Sequence, residues 1–517
     1  MVSKDVSQQS YTHIMTFFHD TEQDLSGIPD VDSKKCREAV RSFLEIERKY
    51  HVAASYNVVG KLFETQPDII NWIESHDQEV AFHSYSHRHD VATKNLDYRA
   101  EIEQCRKVSP RPKGYRSPRG EFTQDTIRSL WENGFLWNAE GVRRTEPFFV
   151  YAGLVQLPIA MDDWLLYAGP RQRNKPIDVN EWLRRFSNLL DTRRYIAVGL
   201  HDSVASLVPE VMDAYERAVR ITIEKKALMA SFWQTADLFR RRVLADFYST
   251  TAKSWNESSK TTYRTKRFQE IVRSEATRIA SPIIADLGSG GGLLTSGLKD
   301  VAREIYCVDN APGMIGEIDS IEGMRLRLGE VTDSGLPDSS VDLVICARVI
   351  EYLFDPDHLA EEIARIAKQG GTFIVTFPAK RGTSNRVFKA GYNSPDQRIR
   401  RYFAPEEIKL WADQIGTGRL IGVQYDAREP NTKELEQQYR DVERNPPLGA
   451  QPTNWVYIGR VQNEDHARKS HQTALPFSAF EFRNREEIGF KDHLIRVGLK
   501  FPRPIRKIGR VFLAVKE

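Results

Sequence analysis

The segment Ile284-Ala285-Asp286-Leu287-Gly288-Ser289-Gly290-Gly291-Gly292 constrains this chain more than any other. An apolar run ends in an acid and breaks at once into glycines, and a second apolar run, Ile305–Val308, ends in Asp309. In a doubly wound sheet this pattern holds an adenosine-containing ligand. Glycines in the first strand–helix turn let the backbone approach it, and a carboxylate after the second strand accepts from the ribose hydroxyls. The residues before this segment carry a different set of chemistry-bearing side chains. The sequence therefore predicts two enzymes on one polypeptide.

A chain of 517 residues is too long for one core, which agrees with at least two domains. Its net charge of +3 gives no global argument for nucleic acid, and none is expected as a partner. Cys36, Cys105, Cys307 and Cys346 are scattered without a CxxC pair, so they read as reduced thiols. The N-terminal MVSKDVSQQS has no apolar core of a leader, and no run of 18 apolar residues occurs anywhere. A cytoplasmic protein without a transmembrane segment is expected.

Strand-like runs at His13–Phe17, Val52–Val59, Glu79–Phe82, Pro112–Tyr115, Phe135–Asn138, Leu154–Ile159, Tyr195–Leu200 and Ala227–Phe232 alternate with helical patterns such as Ser33–Lys49 and Thr123–Asn133. This alternation predicts an α/β barrel over residues 1–242. Residues 243–280 read as a connector with lead-in helices. A second α/β domain is expected over 281–460, with strands Ile283–Leu287, Glu304–Asp309, Val341–Ala347 and Thr372–Phe377 and a helix Pro356–Lys368 stopped by Gly370-Gly371. Residues 461–517 form a basic extension, whose alternating basic and apolar residues near Lys500–Phe512 either pack back on the domain or touch anionic lipid.

His83-Ser84-Tyr85-Ser86-His87 follows directly on a strand. Two imidazoles at this spacing bind one metal when they point the same way, and zinc favours such nitrogen ligands with a carboxylate as third partner. Asp20 and Glu22 end the first strand, Arg116-Ser117-Pro118-Arg119-Gly120 follows a later one, and Leu200-His201-Asp202 a later one still. In a barrel all four segments converge at the C-terminal strand ends. In this order they resemble the polysaccharide deacetylase family, with its NodB-type distorted barrel, over about residues 11–240. The resemblance implies that His83 and His87 are metal ligands, Arg116 orients the base, His201 is the general acid and Asp163 tunes it. The first motif departs from the family's usual Thr-Phe-Asp-Asp-Gly, reading Thr16-Phe17-Phe18-His19-Asp20-Thr21-Glu22. Asp20 as base with Glu22 on the metal, and Asp20 on the metal, both stay open.

The second site has the spacing DxGxGxG, and Gly329-Glu330-Val331-Thr332-Asp333 leads towards a further strand, Leu343–Cys346. These motifs are similar to class I S-adenosylmethionine-dependent methyltransferases over about 260–460, with their Rossmann-like sheet. The resemblance implies that Asp286, Gly288 and Gly290 hold the methionine end, Asp309 the ribose, and Glu330 and Val331 the adenine edge. Arg348 faces the methyl-transfer point, and Glu351 lies near the place of a deprotonating acid. Together the readings describe a bifunctional carbohydrate-modifying enzyme that deacetylates an amino sugar, free or linked to nucleotide or lipid, and methylates the same or a related intermediate. Two alternatives are an amide hydrolase of a small nitrogenous metabolite and a dead barrel that delivers substrate to the methyltransferase.

Overall fold

Strand β1, Ile14–Thr21, is buried along its whole length, as expected of an apolar run with neighbours on both edges and both faces. The computed structural model describes residues 11–87, 97–120, 122–151, 153–167, 175–318, 323–380, 386–388, 399–426 and 428–462. It divides into two units between Arg240 and Arg241, two residues before the expected boundary.

In the first unit β1 is followed by β2 (Ala54–Val58), β3 (Glu79–Phe82), β4 (Gly114–Tyr115), β5 (Trp137–Glu140), β6 (Phe148–Tyr151), β7 (Leu154–Pro158), β8 (Met161–Asp162), β9 (Tyr195–His201) and β10 (Leu228–Met229). They form one curled sheet in the order β6-β7-β5-β4-β3-β2-β1-β9-β8, with β10 also paired to β1. Every pairing is parallel except β6 with β7. Parallel register sets the C-terminal ends side by side, with Asp20 opposite both Asn57 and His201. The distorted barrel is thus a curled sheet with β6 and β8 as its edges. β6 and β8 had no counterpart among the expected strands. The expected strand Ala227–Phe232 shrinks to β10, because Phe232 already opens a helix whose first N–H groups donate to Ser55 Oγ (2.7 Å) and Glu79 Oε2 (2.8 Å).

The helices follow from their caps and faces. Ser33–Tyr50 starts under Asp32, whose carboxylate accepts from Lys34 N–H, and buries Cys36, Ala39, Val40, Phe43, Leu44 and Glu47 at helical spacing. Gln124–Glu132 begins in a capping box on Thr123 and ends before Gly134, which is left-handed at φ +80°.

In the second unit come β11 (Ile283–Leu287), β12 (Glu304–Asp309), β13 (Met324–Leu328), β14 (Val341–Cys346), β15 (Ala367–Pro378), a ribbon of β16 (Arg386–Phe388) and β17 (Ile399–Arg401), then β18 (Gly416–Val423) and β19 (Asn454–Val461). The main sheet runs β13-β12-β11-β14-β15-β19-β18, with the last two antiparallel. The order reverses between β11 and β14, which is where such sheets open a ligand crevice. Helices Phe232–Lys260 and Tyr263–Ala276 occupy the connector. The helix expected over Pro356–Lys368 is Asp357–Ile366, because Ala367 already pairs with Val341 and Gly370-Gly371 lie inside β15. The basic tail lies outside the described residues. Among the described residues no helix is long and apolar enough to cross a membrane, and all four cysteines are buried and unbridged.

Candidate functional site

At the C-terminal ends of the first sheet, the structure brings Asp20, Glu22, His83, His87, Arg116, Asp163 and His201 together, all buried. Their roles separate by distance. Glu22 Oε1 lies 3.3 Å from His83 Nε2 and 3.1 Å from His87 Nε2. Each imidazole donates its Nδ1–H to a backbone carbonyl, His83 to Arg116 (3.0 Å) and His87 to Leu25 (2.9 Å). Carbonyls only accept, so each ring keeps its proton on Nδ1 and aims Nε2 at Glu22, as a lone pair when the ring is neutral and as a second N–H when it is charged. Tethering the far ring nitrogen is how proteins orient metal-binding histidines.

The Glu22 carboxylate and the two Nε2 atoms need a positive charge among them, a ring proton or a cation, and His83 Nε2 is buried without a hydrogen-bond partner. Ligand atoms of Glu22, His83 and His87 all lie within 4.8 Å of one another. This two-nitrogen, one-oxygen set fits a divalent cation. His87 and Gln23 both hold left-handed backbones, at φ +54°, strain of the kind that gathers at functional sites.

Asp20 is engaged differently. Its Oδ2 is 2.9 Å from the Arg116 guanidinium, 3.2 Å from His201 Nε2 and 3.9 Å from His83 Nε2, while Oδ1 accepts from Asn57 (2.9 Å). Burial alone would raise its pKa; Arg116, His83 and His201 outweigh it and hold the carboxyl well below the usual range. His201 Nδ1 pairs with Asp163 Oδ1 at 2.6 Å, and its backbone N–H donates to Oδ2 at 2.8 Å. Burial opposes the charged ring, yet Asp163 and Asp20 push its pKa well above normal. Nε2 sits between Trp164 Nε1–H at 3.1 Å and Asp20. Neutral, it accepts from Trp164; charged, it donates to Asp20.

Three contributors escaped the sequence reading of roles. Asn57 and Trp164 are single polar contacts with no motif to mark them. Asp202, quoted only as a neighbour of His201, accepts from the backbone N–H groups of Glu22 and Gln23 and from the Gln23 side chain (2.8 Å), fixing the turn that carries Glu22. His19 turns the other way. It meets Glu47 at 2.6 Å in a buried cluster completed by the Tyr56 and Tyr215 hydroxyls.

In the second unit a cavity at the β11 and β14 ends is lined by Asp286, Gly288, Gly290, Asp309, Glu330 and Val331, among others. Gly288 has φ +76°, and a Cβ there would lie 2.2 Å from Val349, so the turn demands glycine. Asp309 accepts from Gly290 N–H and Ala311 N–H, both 2.9 Å, bracing the glycine turn from the next strand. Burial pushes Asp309 up to about 6, and burial with Asp309 beside it pushes Asp286 up to about 7. Glu330 pairs with Arg241 at 3.0 Å. Arg348 lines the cavity with φ +65° and contacts Asn454. Glu351 turns towards Arg348 (3.1 Å), is 1% exposed and is not among the lining residues.

The first site is a buried cluster of carboxylates and imidazoles that could hold a cation, and the second is a glycine-lined cleft at the strand ends. In comparison with known protein families, residues 28–136 match polysaccharide deacetylase and residues 285–375 match a methyltransferase domain. The chain thus carries a region similar to polysaccharide deacetylases followed by one similar to S-adenosylmethionine-dependent methyltransferases, in that order. A probable S-adenosylmethionine-dependent methyltransferase of Mycolicibacterium smegmatis is 29% identical over 135 residues, 26% of this chain and 50% of that protein. One from Mycobacterium tuberculosis is 30% identical over 138 residues, 26% of this chain and 47% of that protein. The chain spans about half the length of these curated relatives. A solved structure named for the polysaccharide deacetylases, from Mycobacterium smegmatis, has 20% identity and a TM-score of 0.39, covering 44% of this chain and 90% of that one.

Proposed function

We propose that the chain is a bifunctional, cytoplasmic carbohydrate-modifying enzyme of glycan or sugar-metabolite biosynthesis. Its N-terminal unit removes an N-acyl group from an amino sugar, free or linked to nucleotide or lipid, with the help of a divalent metal, zinc by ligand type. Its C-terminal unit methylates the same or a related intermediate. The observation that carries the reading is the pair of imidazole Nε2 atoms converging on one Glu22 oxygen, each fixed by a carbonyl behind it.

In this reading Glu22, His83 and His87 hold the metal, which supplies Lewis acidity to the acyl carbonyl and to water. Asp20, kept ionised by Arg116, takes the proton of the attacking water. Its distances, longer to His83 than to Arg116 and His201, favour the base role over ligation. His201, charged and held by Asp163, gives its Nε2 proton to the departing amine. In the second unit, S-adenosylmethionine supplies the electrophilic methyl. Asp286, Gly288 and Gly290 hold its amino-acid end, Asp309 its ribose, and Glu330 and Val331 its adenine edge, so that catalysis is largely alignment.

The test is elemental analysis with an acetate-release assay on a panel of free, nucleotide-linked and lipid-linked N-acetylated amino sugars. Wild type should carry one divalent metal per chain, and His83→Ala and His87→Ala should lose both metal and acetate release. Equal metal in all three proteins removes the site. Metal without hydrolysis of any panel member removes the amino-sugar substrate.

A further inference from the structure

The methyltransferase match begins at residue 285, yet part of the cofactor cleft is built by residues before it. One helix, Phe232–Lys260, reaches all four loops at the cleft with successive side chains. Arg241 pairs with Glu330 after β13. Tyr248 meets Tyr352 after β14 edge-on, with ring centroids 6.0 Å apart. Ser249 Oγ accepts from Gly313 N–H (3.2 Å) after β12, and Asn256 Nδ2 lies 3.5 Å from the Gly291 carbonyl after β11. The Ser249 approach is backbone against backbone, since a Cβ on Gly313 would lie 2.3 Å from the Ser249 carbonyl oxygen. From Arg241 to Asn256 the helix covers about 22 Å at the usual rise, and Arg241, Tyr248 and Asn256 all line the cavity.

Arg241 and Glu330 are 7% and 8% exposed. The guanidinium at 3.0 Å fixes where this buried carboxylate points, and Asn310 Nδ2 approaches the same oxygen at 3.4 Å. Asp309, in the same cleft, already feels Glu330 as a repelling neighbour. The placement of this acceptor matters for base recognition. A carboxylate accepts from the exocyclic amine of adenine, whereas it faces an oxygen acceptor in hypoxanthine.

We infer that Arg241 is a residue of the cofactor site, supplied by the preceding helix, which holds the Glu330 carboxylate in place as the acceptor for the adenine amine and so sets adenine specificity. The inference rests on the cofactor assignment above. It makes Arg241 a positioning residue, acting on the ligand through Glu330.

The experiment is calorimetric titration of the full chain with S-adenosylhomocysteine and with its deaminated counterpart S-inosylhomocysteine. Wild type should prefer the adenine compound by about 10- to 150-fold, the range for one hydrogen bond to a charged group. Arg241→Met should weaken S-adenosylhomocysteine by about that factor and leave S-inosylhomocysteine within about threefold, so that discrimination collapses. Arg241→Lys, which retains the charge, should recover most of the preference, and it decides the matter if the methionine variant does not fold. Equal weakening of both ligands in Arg241→Met, or no change in either, overturns the inference. The cofactor reading is judged separately by Asp309→Ala, which should weaken both ligands equally because ribose is common to them. Wild-type protein that binds neither ligand sinks that reading, and this inference with it.

Discussion

Replacing Asp163 by Asn isolates the electrostatic work of one buried carboxylate in the proposed deacetylase centre. Asp163 is fully buried and holds His201 twice, by its ring Nδ1 at 2.6 Å and by its backbone N–H at 2.8 Å. Asn keeps the shape and one acceptor oxygen, but its amide group must face a second donor and the charge is gone. Hydrogen bonds to charged groups contribute about 1.5–3 kcal/mol. Losing one therefore lowers the His201 pKa, because Asp163 is the first of the partners that raise it.

The sign follows from which form works. His201 acts as the acid while protonated, and its pKa is raised, with burial opposing and Asp163 and Asp20 prevailing. Activity therefore persists at neutral pH and falls as pH climbs through that pKa. In Asp163→Asn the alkaline limb should move to lower pH, and the rate at its optimum should fall by about 10²–10⁴-fold, the scale of lost acid–base catalysis. The assay is acetate release from pH 5 to 10, with metal content measured on the same samples. Asp163 makes no contact with Glu22, His83 or His87 among the described hydrogen bonds, so metal should be retained. An unmoved alkaline limb with a normal rate refutes His201 as the acid. Lost metal refutes the separation between the acid and the metal-holding group.

Two further outcomes are expected. S-adenosylhomocysteine affinity should fall as pH drops below about 6, where Asp309 takes up a proton and can no longer offer two anionic oxygens to ribose and to the glycine turn; a flat titration between pH 8 and pH 5 contradicts this. Glu47→Leu strands His19, Tyr56 and Tyr215 in the core. At about 1–3 kcal/mol for each buried group left unpaired, the N-terminal unit should lose about 3 kcal/mol or more, read as a melting point lower by about 6 °C or more. A shift under about 2 °C means the cluster relaxes and rehydrates.

What the sequence revealed was whatever is imposed locally. Gly288 betrays itself because its turn has no room for a Cβ, and the acids at 286 and 309 stand at strand ends that an apolar run already defines. The spacing of His83 and His87 is likewise local, and parallel register then carries both to the level of Asp20 and His201. The misreadings arose where tertiary pairing decides. β6 and β8 are short, and each forms only because a neighbouring strand supplies its hydrogen bonds. Gly370-Gly371 looked like a helix stop, but pairing of Ala367 with Val341 had already begun the strand.

Arg241 shows the same limit in the site itself. Nothing near it marks a ligand-binding residue; its meaning comes from Glu330, far along the chain and brought close only when β13 is laid beside β12. The placement of the Glu330 carboxylate is therefore a property of the folded cleft and not of its motif. A motif fixes which atoms face a ligand, whereas the ionisation and rigidity of those atoms depend on partners such as Arg241, Asp202 and Asp163 that packing recruits from elsewhere.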